Sequence, residues 1–144
     1  MARYSTTVQS KRSREEVFAY LADFANASEW DPGVVSGENL TGQPTGPGSR
    51  FRLMCRFFGR QFPLEYRITA FEVPSRLVFE ADRGRISSVD EIRFVAVDEG
   101  TSVTYEANLR LTGRPGRLMD PLLALAFRRI GERAAVGLRR VLNL

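Results

Sequence analysis

An α+β fold, a curved antiparallel sheet of about seven strands wrapped on one long C-terminal helix, is predicted by three features of this 144-residue sequence. From about Gly116 to Leu142, the residues Met119, Leu122, Leu123, Ala126, Phe127, Ile130, Ala134, Leu138 and Val141 recur at three- and four-residue steps. That spacing draws one apolar stripe along a helix, whose other side carries Arg117, Arg128, Glu132 and Arg139. Most of the preceding chain alternates apolar and polar residues with the period of two of half-buried strands. Only the segment from Ser13 to Trp30 breaks the alternation, and it does so with helix-start signals.

The elements follow in order. Arg3 to Gln9 sets Tyr4, Thr6 and Val8 against Arg3, Ser5 and Thr7, a first strand. Ser13-Arg14-Glu15-Glu16 is a capping box, in which a hydroxyl and a carboxylate satisfy free backbone donors of a first turn. The helix it starts would bury Val17, Phe18, Leu21 and Phe24. A second box, Asn26-Ala27-Ser28-Glu29, predicts a restart, and Pro32-Gly33 ends that short helix just after Trp30-Asp31. Val34 to Leu40 reads as a strand weakened by Gly37 and Asn39, and the Gly/Pro-rich run 41–48 as a long connection.

Ser49 to Phe58 carries the clearest alternation, with Phe51, Leu53, Cys55 and Phe57 on one side and Arg50, Arg52, Met54 and Arg56 on the other. Gly59-Arg60 allows a tight turn into a return strand with Phe62, Leu64, Tyr66, Ile68 and Ala70 on its inner face. After Val73-Pro74-Ser75, the next strand turns Leu77, Phe79 and Ala81 one way. In the strand Ile86 to Val97, Ile92 and Phe94 look inward, and the same parity turns Ser88 and Asp90 inward unless a bulge reverses it. Asp98 to Thr101 forms a hairpin turn, followed by the inner set Val103, Tyr105, Ala107, Leu109 and Leu111. Thr112 to Gly116 releases the last helix, where Pro121 is either the first helical residue behind Asp120 or a kink one turn further in.

Composition narrows the use of this fold. The length suits one domain over residues 1–144 with a core that needs no disulfide or metal. No apolar run reaches the roughly 20 residues of a membrane span, and the N-terminal residues lack a signal-peptide core, so a cytoplasmic protein is expected. The net charge of +4 is concentrated in residues 114–144, where seven arginines face two acids and leave residues 1–113 at minus one. A basic helix face suits nucleic acid or an anionic surface, but a solvated face is the ordinary reading, and nucleic acid is not expected as a partner. The chain has no histidine and one cysteine, Cys55, which excludes Ser-His-Asp and Cys-His catalysis, histidine or thiolate metal sites and CxxC redox chemistry. Phosphate-binding glycine loops are absent as well. No metal and no cofactor are expected, while the oligomeric state, a homodimer included, stays open.

Several stretches resemble the START-like, helix-grip (SRPBCC) superfamily, in its polyketide cyclase/dehydrase and lipid-transport branch. They are residues 14–24 leading to Trp30-Asp31-Pro32-Gly33-Val34, then Gly48-Ser49-Arg50-Phe51, then Glu99 to Tyr105, and the C-terminal helix. The resemblance spans essentially the whole chain and rests mainly on structural residues. It implies strand, two short helices, further strands and a long helix, with a cavity between helix and sheet. The inward residues accord with a cavity, since bulky Phe51, Phe57, Tyr66, Phe79, Phe94 and Tyr105 alternate with small Cys55, Ala70, Ala81, Ala107, Ala126 and Gly137. The same mixture also serves a solid core with a closely approaching helix.

The residues expected to line such a cavity are Trp30, Phe51, Leu53, Tyr66, Phe79, Ser88, Asp90, Phe94, Tyr105, Met119, Leu123 and Phe127. A carboxylate on the concave face, Asp90, is costly to bury without a partner or a ligand. Tyr66 and Tyr105 each offer a hydroxyl, with a backbone carbonyl as its ordinary partner. Arg129, Arg133 and Arg140 lie at one edge of the stripe, where one of them could hold an anionic oxygen or simply join a surface ion pair. Asp90, Tyr66 and Arg133 are therefore the candidate catalytic residues. The leading expectation is binding of a hydrophobic or aromatic small molecule, lipid-like or polyketide-like. A polyketide aromatase/cyclase or dehydratase is the alternative, and an interaction module using the arginine-rich helix face is a third.

Overall fold

The computed structural model describes residues 2–57, 59–111 and 114–144, and within them every side chain except those of residues 111, 114–120, 122 and 123. The order is β1 (Ala2–Ser10), α1 (Arg14–Ala22), one 3₁₀ turn (Phe24–Asn26), α2 (Ala27–Trp30), β2 (Val34–Asn39), β3 (Arg50–Phe57), β4 (Arg60–Glu72), β5 (Arg76–Arg83), β6 (Ile86–Val97), β7 (Gly100–Leu111) and α3 (Arg114–Val141). The strands form one curved antiparallel sheet in the order β1-β7-β6-β5-β4-β3-β2. The strands from β2 to β7 are thus a meander, and β1 closes on its far edge, while α1 and α2 make the connection from β1 to β2. The expected α+β architecture is the observed one. No helix among the described residues is long and apolar enough to cross a membrane.

Local chemistry explains most boundaries. The Ser13 Oγ accepts from the Glu16 backbone N–H at 3.2 Å, so α1 starts at its predicted cap. The second box does not form. The Asn26 side chain caps nothing and instead donates to the Tyr20 carbonyl at 3.0 Å, while Asp23 caps the 3₁₀ turn. The chain breaks at Asp23, whose carboxylate reaches the Ala25 N–H, and the 3₁₀ turn then runs directly into α2 with Asn26 already in helical conformation, so no new start is made there. Pro121 lies inside α3, which begins at Arg114, so the first-position reading is overturned. Leu122, Met119 and Leu123 lie outside the residues whose side chains are described.

One register change redirects a large side chain. β4 slips against β5 between Ile68 and Ala70, so that Phe71, rather than Ala70 alone, turns toward the core. Its ring meets Phe18 of α1 edge-on at 5.3 Å, and Phe18 in turn meets Phe94 at 5.2 Å. Phe24 stacks on Phe79 at 4.0 Å and packs against Phe51 at 6.5 Å. The short helices thereby plug one end of the sheet's hollow with aromatic rings. β6 keeps an unbroken register with both β5 and β7, so no bulge turns Ser88 and Asp90 outward.

The long helix lies across the other part of the hollow, against β1 and α2. Its C-terminal end is tied down where Ser10 Oγ donates to the Leu142 carbonyl at 2.6 Å and Asn143 Nδ2 donates to the Gln9 carbonyl at 2.9 Å. Leu138 and Leu142 are fully buried beneath it. Two glycines set the distance. A methyl at Gly137 would overlap the Trp30 carbonyl oxygen, and one at Gly131 would overlap the Tyr4 ring. Gly137→Ala should therefore destabilise the fold by roughly 1–3 kcal/mol through overpacking, despite the gain of about 1 kcal/mol in helix propensity. Exposed Val136→Ala should stay within about 0.5 kcal/mol of the parent. Urea unfolding of the two variants measures both.

Candidate functional site

Between α3 and the concave face is a pocket of about 140 Å³. Phe127, Ile130, Gly131, Ala134, Ala135 and Leu138 of α3 form its roof, and Leu53, Cys55, Leu64 and Ala107 are among the apolar residues of its floor. Trp30, Tyr66, Ser88, Asp90, Tyr105 and Phe127 of the expected set all line it, as does Leu53. Phe51, Phe79 and Phe94 do not. They are buried under Phe24 and Phe18, because the short helices occupy the hollow above them. Met119 and Leu123 lie outside the described side chains.

Sheet register builds the polar wall. One cross-strand row runs Phe51, Tyr66, Ala81, Ser88, Leu109, and the next runs Ile68, Phe79, Asp90, Ala107, Tyr4. Ala81 is small enough to leave the Tyr66 phenol facing Ser88 across it, and Ala107 leaves room beside Asp90. Tyr105 stands diagonally across from Asp90 on β7 and donates its hydroxyl to Asp90 Oδ2 at 2.5 Å. Ser88 donates to Oδ1 at 3.1 Å. Asp90 is 7% exposed and Ser88 5%. Tyr105 thus bonds a carboxylate where a backbone carbonyl is the ordinary partner.

Burial raises Asp90 from 3.8 to about 6, against the opposing pull of the Tyr105 and Ser88 hydrogen bonds. Burial likewise raises Asp31, at the end of α2, to about 6, although its Oδ1 accepts from the Gly33 N–H at 2.8 Å. Asp31 is half-buried as a whole residue, but its carboxyl is enclosed in the pocket wall. Burial and these two acids push the Cys55 thiol up to about 12, which makes it a neutral, half-buried wall residue. Tyr66 and Tyr105 are held well above the ordinary phenol range, again mainly by burial.

The arginines are placed elsewhere. Arg133 is exposed and does not line the pocket, so the geometry removes it from the candidate catalytic set. Arg129 is exposed, and Arg140 donates to the Glu29 carbonyl at 3.2 Å. Helix rotation explains this: the roof is made by 127, 130, 131, 134, 135 and 138, which turns 129, 133 and 140 away. No group of three or more His, Cys, Asp or Glu residues among those described could hold a metal. Asp31 is the residue the sequence reading missed. In Trp30-Asp31-Pro32-Gly33 the aspartate has the usual look of a turn former, and nothing local tells that its carboxyl is enclosed by a helix about 100 residues later.

A curved sheet closed by a terminal helix over an apolar pocket defines the START-like helix-grip class. The chain belongs to the family described as polyketide cyclase / dehydrase and lipid transport, whose sequence profile matches residues 1–143. Among solved structures, a protein of Thermus thermophilus is similar at 19% identity and a TM-score of 0.79, covering 98% of this chain and 95% of that one. A START superfamily protein from Mycobacterium smegmatis shares 15% identity at 0.79, with coverages of 99% and 97%. The Zhui aromatase/cyclase from Streptomyces sp. R1128 shares 15% at 0.73, with 97% and 92% covered. These likenesses establish the fold. No curated protein matches the sequence.

The raised carboxyl gives a pH signature. An aspartate that binds its proton more tightly folded than unfolded favours folding most below about 4, and this contribution is lost as pH rises through about 6. Asp90→Asn removes that loss while keeping an acceptor for Tyr105. Its stability relative to the parent should rise by roughly 2–3 kcal/mol between pH 4 and pH 8, as read by urea unfolding of the pair at each pH.

Proposed function

We propose that residues 1–144 act as one domain that binds a hydrophobic or aromatic small molecule between α3 and the sheet. One observation carries this reading: a mainly apolar pocket of about 140 Å³ with a few buried polar groups converging on one wall. That room is close to the roughly 150 Å³ of an engineered apolar cavity that accepts benzene. A single aromatic ring or a short alkyl chain is the part of a ligand it suits. The family description, with its lipid transport and polyketide chemistry, supports the same reading.

Trp30 is the chain's single tryptophan and lines the pocket, so it reports occupancy directly. Titration with toluene and with n-octanol should shift Trp30 emission saturably, and Ala134→Phe, which fills the roof, should weaken both by at least tenfold while far-UV circular dichroism stays that of the parent. Absence of any saturable change with either probe would sink the binding proposal.

An aromatase/cyclase or dehydratase acting in the same pocket is a second reading, favoured by the Tyr66, Ser88, Asp90, Tyr105 wall and by the fold shared with the Zhui aromatase/cyclase. Asp90 near pH 6 can take or give a proton, and the Tyr66 phenol can donate to an enolate oxygen. Tyr66→Phe and Asp90→Asn should each lower turnover of a poly-β-ketone by about a hundredfold or more. Unchanged turnover in both variants would remove these residues from the reaction.

A further inference from the structure

Charge in the pocket is one-sided. Its titratable lining, among the described residues, consists of Tyr4 on β1, Asp31 after α2, Cys55 and Arg56 on β3, Tyr66 on β4, Asp90 on β6 and Tyr105 on β7, while the described roof residues of α3 are all uncharged. Arg56 is the one cation in that set, and it is an exposed residue near the end of β3, hydrogen-bonded through its backbone N–H to the Gly33 carbonyl at 2.7 Å. Among the described residues no cation acts on Asp90 or Asp31, and the carboxyl of Asp31 acts on that of Asp90. Aromatic rings surround them. Trp30 meets Tyr105 edge-on with centroids 5.5 Å apart, and Phe24 meets Tyr66 edge-on at 5.1 Å.

Resting on the reading of this pocket as a ligand site, we propose that it selects ligands carrying a protonated amine on a small apolar body, with Asp90 as the counter-charge among the rings of Trp30, Tyr66 and Tyr105. An ammonium is attracted by aromatic ring faces, and strongly so where water is excluded. A buried carboxylate without a cationic partner is costly, and an entering ammonium supplies that partner. Its N–H donors also meet the acceptor capacity that Tyr105 and Ser88 leave on the two carboxylate oxygens. A ligand ending in a carboxylate would instead face Asp31 and Asp90, with the exposed Arg56 as the only cation among the described lining residues. The pocket therefore discriminates against fatty acids and aromatic acids of a size it could otherwise hold. Burial raises the protonation of both acids, and the Asp31 carboxyl adds to that of Asp90.

Benzylamine, benzyl alcohol and benzoate test this, being alike in size and different in charge. Followed by Trp30 emission and by calorimetry at pH 7.5, benzylamine should bind at least tenfold more tightly than benzyl alcohol, and benzoate more weakly than either. On acidification through about pH 6, the benzylamine advantage should shrink toward unity as Asp90 takes up its proton. Asp90→Asn should bring the amine and alcohol within about twofold of each other, and Asp31→Asn should lower the amine advantage by a smaller factor. The wild-type pH series gives the same answer should a variant not fold. Equal or tighter binding of the alcohol or of benzoate, or an amine advantage indifferent to pH and to Asp90→Asn, overturns the charge selectivity. If toluene binds in that case, only this inference fails; if toluene and n-octanol also leave Trp30 unchanged, the ligand site itself is refuted.

Discussion

The closeness of α3 to its supports governs the rest of the molecule. Gly137 lets the helix backbone rest on the Trp30 carbonyl, and Gly131 lets it rest on the Tyr4 ring. With the last turn bound to β1 through Ser10 and Asn143, the helix is fixed in height and direction along its C-terminal half. Small residues at 131, 134 and 135 then face a concave sheet that curves away beneath them. A side chain at either glycine would lift the helix and change the pocket's depth, so the same contact sets both the packing and the space.

The hollow of the sheet is divided between two kinds of filling. Phe18 and Phe24, presented by α1 and the 3₁₀ turn, complete a solid aromatic cluster with Phe51, Phe71, Phe79 and Phe94. Rings that interlock at 4.0 to 6.5 Å leave no room for a ligand there. Under α3 the roof is Phe127 together with alanine, glycine and branched aliphatics, and this set leaves a space above the floor. A solid core and an open pocket are thus both built on one sheet face, and Phe24, stacked on Phe79 and lining the pocket, belongs to both.

The buried acids run against folding stability. Asp90 keeps two hydrogen bonds without a charge partner among the described residues, and Asp31 keeps one backbone donor. Folded proteins usually avoid such groups, and local departures from that rule concentrate at functional sites. The departure here, among the described residues, is confined to one wall of one pocket, the wall on which the proposed ligand recognition rests.

Much of this was legible in the residues. Alternation over two residues defined the strands and turned Ser88 and Asp90 to the inner face, because parity carries through any strand without a bulge. The three-and-four spacing defined α3, and Ser13 marked the start of α1, because caps and periodicity are local properties of the chain. Which inner residues meet the pocket was decided only in three dimensions. Phe51, Phe79 and Phe94 share the parity of Tyr66 and Asp90 and differ from them only in lying beneath Phe24 and Phe18. Arg133 was turned away by the rotation of a helix, Phe71 was turned in by a bulge, and the carboxyl of Asp31 was enclosed by a helix distant in sequence. Pattern along a chain specifies a face, whereas burial, charge and free space depend on what arrives opposite that face.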